Sequence, residues 1–351
     1  MSILNNNVIK YLLAQREALC YSVCMIKSQV RRTRTDVKES IHNMNIGLLG
    51  FGTVGKGFYE LAQNSPDIKI TAVLSRRPRP ELSCLVTDSF AELLASGVDV
   101  VVEAIGGVHP AYEYAAAALA AGKHFVTANK QLICEYYDEL TGLAGQAGLA
   151  LRCTAAAGGG IPWLSSLAGT KAMDRIYKIE GIMNGTSNFI LDAMTKNGTD
   201  YAEALKEAQA LGYAEADPTA DVEGYDAARK LVISANLAFD AHIRFEDVVC
   251  KGISSITAAD IAAWKKDGNV CRLIAGAEKL PDGSIKASVE PKLFAADSLE
   301  AGVDKNNNFI SLYAEKIGKQ SFFGQGAGAY PTGSNVLADC IAIANGARGF
   351  Y

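Results

Sequence analysis

Apolar and polar positions along this chain follow one rhythm up to about residue 172 and another beyond it. Residues 45–49 form a short apolar run, and 68–74 alternates as a half-buried strand does. Residues 98–105 are almost continuously apolar between Gly97 and Gly106-Gly107, the pattern of a strand buried on both faces. A further strand is expected at 124–127. Between these, 53–63 and the alanine-rich 110–121 carry helical spacing, and Gly122 ends the second. Strands and helices in alternation predict an α/β fold, a doubly wound parallel sheet over 44–172.

Beyond 172, segments 175–183 and 285–289 read as strands of a second, antiparallel sheet, with another strand at 309–317. Asp282-Gly283 is a hairpin turn signal. Helices are expected around 201–211, 225–238 and 258–266. The pattern predicts an α+β domain over 173–323. The glycine-rich turn Gly324-Gln-Gly-Ala-Gly328 and Pro331 precede a last helix, roughly 334–345, so that 324–351 returns to the first domain. A sheet made from 175–183 and 285–289 would leave an open edge, and a homodimer is expected to cover it.

Composition narrows the class. The chain has 351 residues, 49% hydrophobic and 21% charged, with net charge −4. That balance argues against a nucleic-acid or membrane-surface partner. No apolar run reaches the roughly 18–20 residues of a membrane span. Eight cysteines are scattered with no CxxC pair, which fits a reduced, cytoplasmic setting better than a disulfide framework. The four histidines form no ligand cluster, so no zinc site is expected. Residues 1–43 differ: seven Lys/Arg against three acids give +4, leaving −8 for the rest of a chain whose total is −4. They contain a candidate amphipathic helix at 12–30 and the basic run Arg31-Arg-Thr-Arg34. They lack a signal peptide's continuous apolar stretch and are read as an extension outside the fold.

Gly50-x-Gly52-x-x-Gly55, with Thr53 and Val54 between the last two glycines, follows an apolar strand and opens a helix. In that context it predicts a Rossmann-type dinucleotide site, with backbone N–H groups meeting a pyrophosphate at the helix N-terminus. About twenty residues on, where an acid would bind a ribose 2′-hydroxyl, the chain reads Leu74-Ser75-Arg76-Arg77. Arg76 and Arg77 are candidates to clamp a 2′-phosphate, so NADP is expected over NAD. Lys130, in Thr127-Ala-Asn-Lys130, follows a strand of the parallel sheet. Residues there face the ligand crevice, where a cation can hold a carboxylate or polarise a carbonyl.

Residues 211–230 pack Glu215, Asp217, Asp221, Glu223 and Asp226 into twelve positions, broken by Pro218 and Gly224, with Lys230 four residues later. So dense an acidic segment builds a polar pocket better than a core. Asp226 and Lys230 share a helix face. They form either an ordinary i, i+4 surface pair or a proton-transfer lysine and its carboxylate. Ile233 and Leu237 continue the same stripe and point that face inward, where an unpaired charge is costly.

Seven motifs, in order and spacing, resemble homoserine dehydrogenases. They are Gly50-Phe-Gly-Thr-Val-Gly55, Thr127-Ala-Asn-Lys130, Ala157-Gly-Gly-Gly-Ile-Pro162 and Gly181-Ile-Met-Asn-Gly-Thr-Ser-Asn188. The others are Leu211-Gly-Tyr-Ala-Glu-Ala-Asp-Pro218, Asp221-Val-Glu-Gly-Tyr-Asp-Ala-Ala-Arg-Lys230 and Gly326-Ala-Gly-Ala-Tyr-Pro-Thr332. The resemblance implies NAD(P)-dependent interconversion of L-homoserine and L-aspartate 4-semialdehyde, on the route to threonine, methionine and isoleucine. It implies that Lys230 is the proton donor and Lys130 a second lysine at substrate and nicotinamide. It also implies that Glu215 and Asp226 bind the amino acid, with Asp221 nearby and Gly185-Thr186 shaping the pocket. Gly326 would close over the cofactor. Backbone carbonyls of Thr154, Ala157, Gly159 and Ile161 would bind sodium. No aspartokinase segment precedes this pattern and no ACT domain follows it, so threonine feedback through such a domain is not expected. Rival readings are a phosphorylating semialdehyde dehydrogenase using Cys153, another two-domain dehydrogenase, and a nucleotide-sensing regulator.

Overall fold

The computed structural model describes residues 43–351. The amphipathic helix and basic run expected before them lie outside the described residues. Met44–Tyr351 forms one compact unit containing two sheets.

Six strands of the first sheet come in chain order: β1 (Met44–Leu49), β2 (Ile68–Leu74), β3 (Leu85–Thr87), β4 (Val100–Glu103), β5 (His124–Thr127) and β6 (Ala150–Arg152). They lie side by side as β6-β5-β4-β1-β2-β3, all parallel. The order reverses between β1 and β4, the place where an open α/β sheet leaves a ligand crevice beyond its strand ends. Val100, Val101 and Val102 of β4 are fully buried, as their continuous apolar run requires.

The second sheet contains β7 (Ile176–Ile182), β8 (Val249–Cys250), β9 (Asn269–Lys279), β10 (Ile285–Ala295), β11 (Asn307–Ala314) and β12 (Gly318–Gln325). Its order is β12-β11-β7-β9-β10-β8, antiparallel except for the short β10–β8 pair. The strands expected at 175–183 and 285–289 share this sheet but do not pair; β9 separates them. β10 also runs on to Ala295 through Pro291. Proline survives there because β8 pairs only Ser288 and Val289, so the outer edge of β10 is open at Pro291 and needs no N–H.

The helix Tyr225–Phe239 is buried almost throughout and packs on β7, β9 and β10. The last helix begins at Ala329, earlier than expected. Pro331 falls in its first turn, where a missing N–H breaks no helical bond. This helix packs on the helix Thr53–Ala62 of the parallel sheet. The chain ends in β13 (Gly349–Phe350), which adds to β6.

Candidate active site

The glycine turn is dictated by close contacts. Gly50 has φ +91°, and a Cβ there would meet Ile105 Cγ2 at 2.7 Å and the Ala104 carbonyl at 3.0 Å. A Cβ on Gly55 would stand 2.2 Å from the Gly50 carbonyl, whereas one on Gly52 would meet nothing within 4 Å. The turn therefore lies tight against β4 on one side and is open at Gly52, the N-cap of the helix starting at Thr53. Its Gly52, Thr53, Val54 and Gly55 peptides form a cradle that fits a pyrophosphate. Across the crevice, Glu103 accepts from the N–H groups of Ile105 and Gly106 at 2.7 and 3.0 Å. Thr127 donates to its other oxygen at 2.5 Å. Burial holds the Glu103 carboxyl above its usual range, against these hydrogen bonds.

Arg76 and Arg77 stand exposed just after β2 and form no salt bridge among the described residues. Sequence reasoning missed Arg79. It folds back over the Phe51 ring, 5.2 Å from its centroid, and reaches the Phe51 carbonyl at 3.5 Å. With Lys56, Tyr59 and Glu60 it lines a cavity of about 200 Å³ beside the glycine turn.

Lys130 opens a short helix whose N-cap is Asn129. The Asn129 side chain accepts from Leu132 N at 3.1 Å and donates to the Gly107 carbonyl at 2.6 Å, tying the ends of β4 and β5 together. From that corner Lys130 Nζ reaches Asp226 Oδ1 at 3.0 Å. Lys230 Nζ reaches Asp226 Oδ2 at 2.7 Å and the Met183 carbonyl at 2.8 Å. One carboxylate thus bridges two ammonium groups that lie 100 residues apart in the chain. Burial would raise the Asp226 carboxyl, but Lys230 and Lys130 outweigh it and hold the group well below the usual carboxylate range. The Lys230 side chain is 10% exposed and that of Lys130 37%, so Lys230 is the more firmly held.

Asn184 is the second residue that sequence reasoning missed. Its Oδ1 caps the helix Gly185–Asn197 by accepting from Ser187 N at 2.8 Å. Its Nδ2 donates to Asp221 Oδ1 at 2.6 Å and to Asp226 Oδ2 at 2.9 Å. The cue was available: Asn before Gly-Thr-Ser is a strong helix N-cap. Burial and the neighbouring Asp226 raise the Asp221 carboxyl. Thr186 donates to the Tyr213 carbonyl at 2.6 Å, pinning the acidic turn to the same helix start. A Cβ on Gly185 would meet the Asn306 carbonyl at 2.5 Å, so only glycine fits there. Glu215 lies on that turn, exposed, and its carboxylate touches neither lysine. Asp217 has a local task, accepting from Thr219 N at 3.0 Å.

Thr154, Ala157, Gly159 and Ile161 line one loop packed under the last helix. Two of their carbonyls are already engaged. Asn335 Nδ2 donates to Gly159 O at 2.6 Å and to Ile161 O at 2.9 Å. Ile161 O also accepts from Trp163 N at 2.7 Å, which uses both its lone pairs. Two of the four carbonyls expected to hold sodium are thus met by donors of the protein itself. Gly326 meets the same loop, since a Cβ on Gly159 would stand 2.2 Å from the Gly326 carbonyl. Cys153 is fully buried, and burial pushes its thiol far above the range of a nucleophile.

The comparisons agree with this architecture. The homoserine dehydrogenase NAD-binding domain model matches residues 50–153, and the homoserine dehydrogenase model matches 162–341. A homoserine dehydrogenase from Corynebacterium glutamicum is 42% identical over 319 residues, 86% of this chain and 72% of the relative. One from Bacillus subtilis is 41% identical over 321 residues, 87% of this chain and 74% of the relative. The crystal structure of a homoserine dehydrogenase from Thiobacillus denitrificans superposes with TM-score 0.82 at 36% identity, covering 86% of this chain and 73% of that one. The dinucleotide cradle, the two-lysine carboxylate site and these matches over both halves place the chain in the homoserine dehydrogenase family, NAD(P)-dependent oxidoreductases of amino-acid biosynthesis that interconvert L-homoserine and L-aspartate 4-semialdehyde.

Proposed function

We propose that Lys230 is the proton-transfer group of this reaction and Asp226 the residue that aims it. The observation that carries the reading is the bridge at Asp226. An ammonium has three N–H donors. Lys230 spends one on Asp226 and one on the Met183 carbonyl, which leaves one for a substrate oxygen. When bound, a reduced nicotinamide supplies the hydride for the aldehyde carbon. As negative charge grows on the carbonyl oxygen, Lys230 donates a proton to it. Lys130, on the more open side of Asp226, stabilises the same developing charge. In the oxidising direction Lys230, as the neutral amine, takes the hydroxyl proton instead.

The carboxylates receive the substrate's α-ammonium. Asp221 and Asp226 balance the two lysines, and Glu215 adds a further negative charge on the turn pinned by Thr186. Gly185 keeps the helix start free of side-chain bulk. The glycine turn holds the pyrophosphate, and Gly326 borders the nicotinamide end. Arg76 and Arg77, exposed beyond β2 where no acid stands, support a preference for NADP over NAD. Phe323, exposed on the β12 edge of the second sheet, supports a homodimer formed through that sheet.

The test is homoserine-dependent NADP reduction in phosphate-free buffer, followed by nicotinamide absorbance. Lys230→Ala is expected to lose about 10²–10⁴-fold in kcat, the usual worth of general acid–base help, with a smaller change in KM. Near-normal turnover by this variant would transfer the role to Lys130.

A further inference from the structure

We propose that the Asn335 side-chain amide replaces a monovalent cation in the loop Thr154–Ile161, so that this chain needs no such ion. Carbonyl oxygens that converge on one buried point repel one another unless something positive lies between them. A hard cation does this by collecting oxygen ligands, at the cost of its own dehydration. A primary amide does it with two N–H donors on one nitrogen. Asn335 Nδ2 meets this requirement, lying 2.6 Å from Gly159 O and 2.9 Å from Ile161 O. Asn335 is itself 4% exposed, so these are buried bonds, worth more than surface ones and costly to break.

The amide belongs to a larger clasp. One turn further along the last helix, Asp339 accepts from Thr154 N at 2.8 Å and from Thr154 Oγ1 at 2.7 Å. The two side chains thus grip both ends of the loop. The loop in turn supports the Gly326 turn, through Gly160 N donating to Gln325 O at 2.9 Å. A device built into the protein therefore positions the segment bordering the cofactor site, with no dependence on salt composition.

The experiment compares the full-length chain in sodium chloride and in tetramethylammonium chloride at equal ionic strength, by thermal unfolding and by turnover. The wild type is expected to show no sodium-specific change in Tm or kcat. Asn335→Ala is expected to melt several degrees lower in tetramethylammonium chloride and to recover part of that loss, saturably, as sodium replaces it. Asn335→Asp, which sets a carboxylate against two carbonyls, is expected to respond to sodium more strongly. A saturable sodium-specific rise in the wild-type Tm overturns the proposal, and this measurement needs no variant to fold. An Asn335→Ala protein as stable as the wild type and indifferent to sodium overturns it too.

Discussion

Asp226 and Asp339 are buried aspartates displaced in opposite directions, and the difference lies in what faces them. Asp226 meets two lysines and is held below its usual range. Its contribution to stability is present above about pH 4 and is lost only as pH falls further. Asp339 is faced by the Thr154 hydroxyl and N–H, by the Tyr351 hydroxyl through Thr154, and by Arg152, Cys153 and Cys340. Burial dominates and pushes its carboxyl up to about 7. The folded state then holds a proton that the unfolded chain releases near pH 4. The stabilisation is full below that pH and disappears as pH rises through about 7. Asp339→Asn is therefore expected to flatten the loss of stability between pH 5 and about 7, read by urea unfolding at both values; an unchanged slope refutes the assignment. At the cofactor site, Arg76→Ala is expected to raise KM for NADP about tenfold, the loss of one charge-assisted hydrogen bond, with KM for NAD little altered. Equal shifts for both cofactors would remove Arg76 from the 2′-phosphate site. Lys130, Asp226 and Lys230 were legible as residue types at suggestive spacings. That one carboxylate bridges both lysines was not, because Lys130 and Asp226 are far apart in sequence.

At the level of elements, the helix Thr53–Ala62 and the last helix Ala329–Ala344 interlock through glycines. A Cβ on Gly57 would stand 2.3 Å from Ala329 O, and one on Gly333 would stand 2.6 Å from Phe58 N. Gly57→Ala must push the helices apart, at about 1–3 kcal/mol. It is expected to lower Tm and, by shifting the helix whose N-terminus cradles the pyrophosphate, to raise KM for NADP. An unchanged melting curve would show that the helices tolerate separation. The alternating β2 and the short β5, buried at its last three positions, match their expected bounds. The helix Gly185–Asn197 went unread because it buries Thr186, Ser187, Asn188 and Asp192, polar residues of which Thr186, Asn188 and Asp192 find partners such as the Tyr213 and Lys305 carbonyls and Arg272 only in the folded chain. β9 also escaped, since Arg272 lies inside its apolar run. That guanidinium is buried yet satisfied by the carbonyls of Ala301 and Val303 at 2.8 and 2.9 Å.

For the whole molecule, assembly is the open quantity. Phe323 is 61% exposed and pairs across strands with Phe309. Next to it, β12 leaves an unpaired edge among the described residues. Sedimentation of the wild type is expected to give twice the chain mass, and Phe323→Lys is expected to shift it toward the monomer. A wild type that sediments at 37.2 kDa would end the dimer proposal.

The sequence by itself determined the local matters: the glycine turn, the succession of strands and helices, and the identity of the charged residues. Those follow from short-range sterics and periodicity. Tertiary structure alone decided which strand lies between β7 and β10, which lysines share Asp226, and what the Gly159 and Ile161 carbonyls face. Such outcomes depend on contacts between residues remote in the chain, and Asn335, 174 residues from Ile161, carries no local sign of the bond it makes there.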